Sequence, residues 1–314
     1  MAEIMLEAKN LKKYFKTARG LVHAVDDVSF TIEKGKTLGL VGESGCGKST
    51  TGRLLIRLLD LTDGSVIFDG KDISKLKGRE MRHMRTEMQM IFQDPFSSID
   101  PRKTVSQTIR EPITANRILT GSAVDQRVAE LMEMVGLAER LADSYPHELD
   151  GGRRQRIGIA RAMAMNPQFI VCDEPVSALD VSIQAQILNL LKELQAKHDL
   201  TYVFITHDLA VVNYFSDEIA VMYLGQIVEK APTELLFENP SHPYTKALLS
   251  AIPVPEYGAK KDRMLIKGEI TSPIDPPDEC RFAARCPRVF DRCRQSCPPL
   301  RERESGHYVA CYLD

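Results

Sequence analysis

No apolar run in this 314-residue chain approaches the roughly 20 residues needed to span a bilayer. The N-terminus also lacks the charged-then-apolar order of a secretory signal. If the protein works at a membrane, it does so through other subunits. Charge of one sign is missing too: 41 Lys and Arg against 43 Asp and Glu leave a formal net charge of −2, with a pI near 6.4. Bulk charge therefore indicates no nucleic-acid surface. The arginines Arg281, Arg285, Arg288, Arg292, Arg294, Arg301 and Arg303 are interleaved with Asp278, Glu279, Asp291, Glu302 and Glu304, which reads as a solvated mixed-charge face. The length suits one large domain with a smaller appendage.

What is present begins with Gly42-Glu43-Ser44-Gly45-Cys46-Gly47-Lys48-Ser49, a full fit to G-x-x-x-x-G-K-[ST]. Thr37-Leu38-Gly39-Leu40-Val41 before it reads as a buried strand, and the apolar spacing from Thr50 to Leu59 as a helix. The loop thus empties into a helix N-terminus, where backbone N–H groups and the helix dipole both favour phosphate. Lys48 is placed to reach the β and γ phosphates, and the Ser49 hydroxyl to sit on Mg²⁺ with Thr50 beside it. Phe169-Ile170-Val171-Cys172-Asp173-Glu174 is an apolar run ending in two acids, as expected of a parallel strand whose C-terminal edge meets the ligand. Asp173 suits Mg²⁺ through water, and Glu174 suits a general base that polarises the attacking water.

Leu149-Asp150-Gly151-Gly152-Arg153 and the following Arg154-Gln155-Arg156 resemble the signature of the ATP-binding subunits of ABC transporters. The resemblance extends to Gln93 (Q-loop, a further Mg²⁺ contact), Ser177-Ala178-Leu179-Asp180 (D-loop) and His207 (H-loop switch). It covers residues 4 to 255 and implies a P-loop NTPase of α/β class. Such a fold has a RecA-like core, an antiparallel β region, a helical subdomain at about 97–160 and a parallel sheet covered on both faces. Alternation from Met5 to Phe15 and from Val22 to Ile32 fits the β region. Phe15, or alternatively Tyr14, matches the position that stacks on adenine. The family's dimer places Asp150, Gly151 and Gly152 against ATP held by the P-loop of a second, related ATPase subunit.

Asp94 to Arg102, Pro240 to Leu249 and the Cys-bearing end look most like the ATPases of bacterial dipeptide, oligopeptide and nickel importers. That likeness implies two membrane permeases, an indirect extracytoplasmic solute-binding protein, and a peripheral place on the cytoplasmic face of the cell membrane. Nickel or another small solute is the alternative cargo. A soluble ABC ATPase outside transport is the other reading, although neither a second cassette nor a coiled-coil insertion is visible. A Pro-rich passage from Pro253 to Pro277 marks a linker, with a separate tail over 256–314.

Five of the seven cysteines, Cys280, Cys286, Cys293, Cys297 and Cys311, lie in the last 35 residues. Such clustering in a cytosolic chain argues for metal over disulfides. Four thiolates suit a [4Fe–4S] cluster or tetrahedral Zn²⁺, and free thiols are the remaining alternative. The importer resemblance implies an iron–sulfur cluster on Cys280, Cys286, Cys293 and Cys311, with Cys297 outside the pattern. Cys46 and Cys172 read as small packing residues.

One departure from the family matters: its signature Ser is Asp150 here, and the following Gln is Arg153. A carboxylate about 4 Å from a phosphate oxygen is repelled by roughly 4 kcal/mol at an effective dielectric near 20, about a thousandfold in affinity. Pairing with Arg153 or service as a helix N-cap would relieve it. Unrelieved, it predicts an asymmetric pair with one hydrolysing site.

Overall fold

The computed structural model describes residues 3–94, 96–252, 264, 266, 268 and 271–313. Pro95 of the Q-loop segment, most of the Pro-rich passage and the 255/256 boundary lie outside them. The chain divides into two compact units, one built on Lys75–Val203 and one on Ile4–Ile32, Lys36–Ser74 and Phe204–Asp314.

In the first unit the strand Met88–Ile91 runs parallel to Phe169–Asp173, pairing Met88 with Phe169 and Ile91 with Cys172. All five residues of Phe169–Asp173 are buried, as its unbroken apolar run requires. The helix Val105–Ala115 starts at Thr104, whose hydroxyl accepts from the Gln107 N–H while the Gln107 side chain accepts from the Thr104 N–H, a capping box. It buries Val105, Thr108, Ile109 and Ile113, one face at helical spacing. The helices Ser122–Met134 and Gly151–Met163 complete the helical part of the unit, and contacts join all three. The long helix Val181–His198 starts at Asp180, whose carboxylate accepts the Ile183 N–H at 3.0 Å.

In the second unit the strands Ile4–Thr17 and Gly20–Glu33 form the antiparallel region, and Asp63–Phe68 pairs antiparallel with the first of them. Thr37–Val41, the strand before the P-loop, runs parallel to Glu218–Tyr223, which turns back antiparallel into Gln226–Pro232. Two tail strands extend the same sheet: His307–Val309 pairs with Gln226–Pro232, and Arg301–Glu304 lies outside it. Residues of 271–313 thus share a sheet and a core with the strand Thr37–Val41. Phe282 is 1% exposed and meets Tyr223 edge-on at 5.2 Å and Tyr244 at 5.4 Å between ring centres. Removing such a buried ring costs about 3–5 kcal/mol. Further along the tail, the Asp275 N–H donates to the Leu21 carbonyl and the His23 N–H to the Pro273 carbonyl, which straps residues 273–275 along the hairpin. A polar hub lies in the same unit: the fully buried Glu229 accepts the N–H groups of Ser241 (2.7 Å) and His242 (2.9 Å), and meets His307 Nε2 at 2.7 Å.

Candidate nucleotide site

The buried strand Thr37–Val41 delivers the chain to Gly42, and the helix Lys48–Leu55 begins six residues later. Gly42 has φ 149°, and a Cβ there would lie 2.2 Å from the Met222 carbonyl oxygen, so no other residue fits. The helix N-cap is Gly47, which carries no side chain to compete for the first-turn N–H groups. Lys48 is 5% exposed, and its ammonium donates to the carbonyls of Gly42 (2.8 Å) and Glu43 (3.0 Å). It is therefore folded over the loop that sequence assigns to phosphate. Cys46 is buried 3.8 Å from Lys48 Nζ, and burial raises its thiol pKa despite that charge. The packing role read for Cys46 and Cys172 agrees with their burial.

Glu43 carries contacts that motif reading missed. Its N–H donates to the Tyr244 hydroxyl at 2.9 Å, and its carboxylate accepts Nη1 and Nη2 of Arg285 at 2.6 and 3.0 Å. Arg285 lies 242 positions away, and no local periodicity points to it.

In the hairpin, the ring of Tyr14 stacks on His23 at 4.0 Å, and its hydroxyl donates to Asp26, which also pairs with Arg281. Burial, then Asp26, raises the Tyr14 pKa. At Asp26 burial acts upward, but hydrogen bonds from Tyr14 and His23 and the charge of Arg281 outweigh it and hold the carboxyl below the usual range. Phe15 points outward, 38% exposed, with the Lys13 ammonium 5.1 Å from its ring centre. Of the two aromatic candidates, Phe15 has the open ring. His207 is exposed, just before Asp208, the N-cap of the helix Leu209–Phe215.

The remaining candidates belong to the first unit. Asp173 is 1% exposed at the end of its strand. Glu174, next in the chain, takes a left-handed conformation (φ 46°), and its carboxylate accepts Gln93 Nε2 at 3.0 Å. The structure thus brings together Gln93 and Glu174, two residues that the sequence assigns to the site. Asp150 caps the helix Gly151–Met163: one oxygen accepts the Arg153 N–H at 2.8 Å and the other lies 3.4 Å from Arg153 Nε. Both relieving arrangements are present together. Gly152 leaves no room for a side chain, since a Cβ would sit 2.6 Å from Ile183 Cγ2.

In the tail, the Cys280 N–H donates to the Cys293 carbonyl at 2.8 Å, and Cys297 Sγ lies 3.3 Å from Gln226 Oε1. Burial pushes the Cys280 thiol up to about 12, with Cys293, Cys297 and Cys311 adding to it, and raises Cys286 as well. Among the described residues no group of three or more His, Cys, Asp or Glu side chains is set to hold a metal ion. The ligand set implied for iron–sulfur is therefore not assembled here. Among the same residues no helix is long and apolar enough to cross a membrane.

The ABC transporter family model matches residues 25–177, and that for the oligopeptide/dipeptide transporter C-terminal region matches residues 228–293. The chain is 50% identical over 321 residues to the oligopeptide transport ATP-binding protein AppF of Bacillus subtilis, covering 99% of this chain and 98% of that protein. It is 48% identical to a putative peptide import ATP-binding protein of Brucella ovis, over 99% of this chain and 98% of the relative. Among solved structures, the dimeric ATP-binding cassette MJ0796 bound to ADP and Pi superposes with a TM-score of 0.68 at 30% identity, over 73% of this chain and 99% of that one. With a P-loop of this geometry, a signature turn capped at Asp150 and near full-length relatives, the chain belongs to the ABC transporter ATP-binding family as an ATPase with the oligopeptide/dipeptide transporter C-terminal region.

Proposed function

We propose that this chain hydrolyses ATP to energise import of dipeptides and oligopeptides through an ABC transporter. The observation that carries the reading is near full-length similarity to a peptide-transport ATPase, extending through the matched C-terminal region. The Gly42–Ser49 loop binds the triphosphate, Lys48 turns from its loop carbonyls to the β and γ phosphates, and Phe15 stacks on adenine. Ser49, Gln93 and Asp173 would hold Mg²⁺, which would supply charge neutralisation at the phosphates. Glu174, oriented by Gln93, polarises the attacking water, and His207 contacts the γ phosphate. Asp150, Gly151 and Gly152 face nucleotide on the P-loop of a second, related subunit, and two permeases receive the motion at the cytoplasmic face of the membrane.

The test is reconstitution in vesicles with the permeases and the solute-binding protein. Peptide-loaded binding protein is expected to stimulate ATPase activity and drive peptide uptake. Stimulation by nickel instead would move the cargo to metal, and indifference to every loaded binding protein would place the ATPase outside transport.

The tail cluster belongs to this proposal as a structural element on Cys280, Cys286, Cys293 and Cys311. Its support is that Cys280 and Cys286 both lie within electrostatic reach of Cys293 and Cys311. Binding would require those thiols to lose their protons and turn to a common centre. Anaerobically purified protein is expected to contain near-equal iron and acid-labile sulfide, lost in Cys293→Ser and kept in Cys297→Ser. Stoichiometric zinc without sulfide would replace the cluster with a zinc site.

A further inference from the structure

Every polar group of Glu43 is engaged, and by three different parts of one compact unit. Its N–H is tied to the Tyr244 hydroxyl, its carbonyl accepts from Lys48, and its carboxylate takes both arms of the Arg285 fork. The Arg285 side chain is 8% exposed and that of Glu43 26%, so the pair is shielded more than a surface bridge. Arg285 is itself fixed, with Nη1 3.4 Å from the Tyr223 hydroxyl and the guanidinium carbon 5.8 Å from the Tyr223 ring centre. Its Nε is buried without a hydrogen-bond partner among the described residues, so Nη1 and Nη2 make its hydrogen bonds. A buried donor left unpaired is a cost to stability.

Two consequences follow for a loop that receives a polyanion. An unneutralised Glu43 carboxylate would repel phosphate, and Arg285 cancels that charge. The peptide of Glu43, whose carbonyl must release Lys48 for the phosphates, is also held in place by Tyr244 and Arg285 while that release occurs. We propose that Arg285 is a positioning residue of the nucleotide site, acting through Glu43 to hold the Gly42–Ser49 loop ready for ATP, so that the C-terminal region sets nucleotide affinity. The proposal rests on the nucleotide-site reading above and deepens it.

The experiment measures ATP dissociation constants, KM and kcat, and nucleotide-free melting for the full chain and its assembled transporter. Arg285→Met is expected to weaken ATP binding and raise KM about tenfold or more, the scale of a lost charge-assisted hydrogen bond, with kcat within about twofold. Arg285→Lys, which keeps the charge and loses the fork, is expected to recover part of the affinity. In a Glu43→Gln background the same Arg285→Met change is expected to lose most of its effect. Lower melting with unchanged ATP affinity, or effects that simply add in the double variant, would overturn the proposal. Tyr244→Phe removes a single hydroxyl and covers failure of Arg285→Met to fold: a KM raised severalfold supports the proposal, and an unchanged KM overturns it. Lys48→Ala in parallel separates the two levels. If it binds ATP like wild type, the nucleotide-site reading falls and the proposal with it. If it loses ATP while Arg285→Met keeps full affinity, the Arg285 proposal alone falls.

Discussion

Glu174 sits at a left-handed backbone position immediately after the buried Asp173, and its carboxylate already meets Gln93. Glu174→Gln keeps the shape of that contact and removes the basic oxygen. Turnover is expected to fall by about 10²-fold or more with ATP binding nearly intact, because proton abstraction is the lost step; a variant that kept most of its activity would remove Glu174 from the role of base. Asp150 makes the opposite case, where geometry reduces an effect that charge alone would make large. Its two oxygens are already directed at the Arg153 N–H and guanidinium. The bare repulsion would be worth about a thousandfold. With those contacts, Asp150→Ser is expected to change turnover of the assembled pair by less than about threefold, and a change of tens or more would restore the asymmetric pair.

At the scale of elements, the same aspartate anchors a helix. Asp150→Ala removes the acceptor for the Arg153 N–H and is expected to cost about 1 kcal/mol of stability, whereas Asp150→Ser, another good N-cap, is expected to cost only a few tenths, both read from denaturant midpoints. Elements of this kind were legible in sequence. The strands Thr37–Val41 and Phe169–Asp173 announce themselves as short apolar runs, and the P-loop by its glycines. The hairpin Ile4–Thr17 and Gly20–Glu33 follows from alternation around Ala18 and Arg19. Illegible were the contacts that depend on tertiary closure: Arg285 on Glu43, Tyr244 on the Glu43 N–H, and Phe282 among Tyr223 and Tyr244. Each joins positions far apart in the chain, and the interleaved charges that disguise Arg281 and Arg285 as solvated residues hide two guanidinium groups that are nearly buried. The tail strands Arg301–Glu304 and His307–Val309 lack apolar alternation strong enough to be read as part of a sheet.

For the whole molecule, acid stability has an identifiable contributor. His242 is 1% exposed, accepts the Tyr244 N–H at 3.1 Å on Nδ1, and burial lowers its pKa to about 3. Its folded pKa lies below the unfolded value near 6.5, so the unfolded chain binds the extra proton. The neutral form's stability is complete above about pH 6.5 and drains away as pH falls toward 3, at no more than about 1.4 kcal/mol per pH unit. His242→Asn is expected to flatten the slope of stability against pH between 6 and 4 by up to that amount. An unchanged slope in urea melts would mean that His242 is protonated in the folded state.

The outermost strand of the second unit's sheet, Arg301–Glu304, is fully exposed and alternates basic and acidic residues, while five of the seven residues of Gln226–Pro232 beneath the tail strands are buried. A strand of alternating charge is a poor template for another chain, because pairing with it must strip water from each side chain. The last residues of the chain therefore act as a guard on an adhesive edge. Deleting 301–314 would bare the ladder groups of Gln226–Pro232 that now serve His307–Val309, and such a chain is expected to self-associate, visible as light scattering or early elution on size exclusion, before it loses its fold.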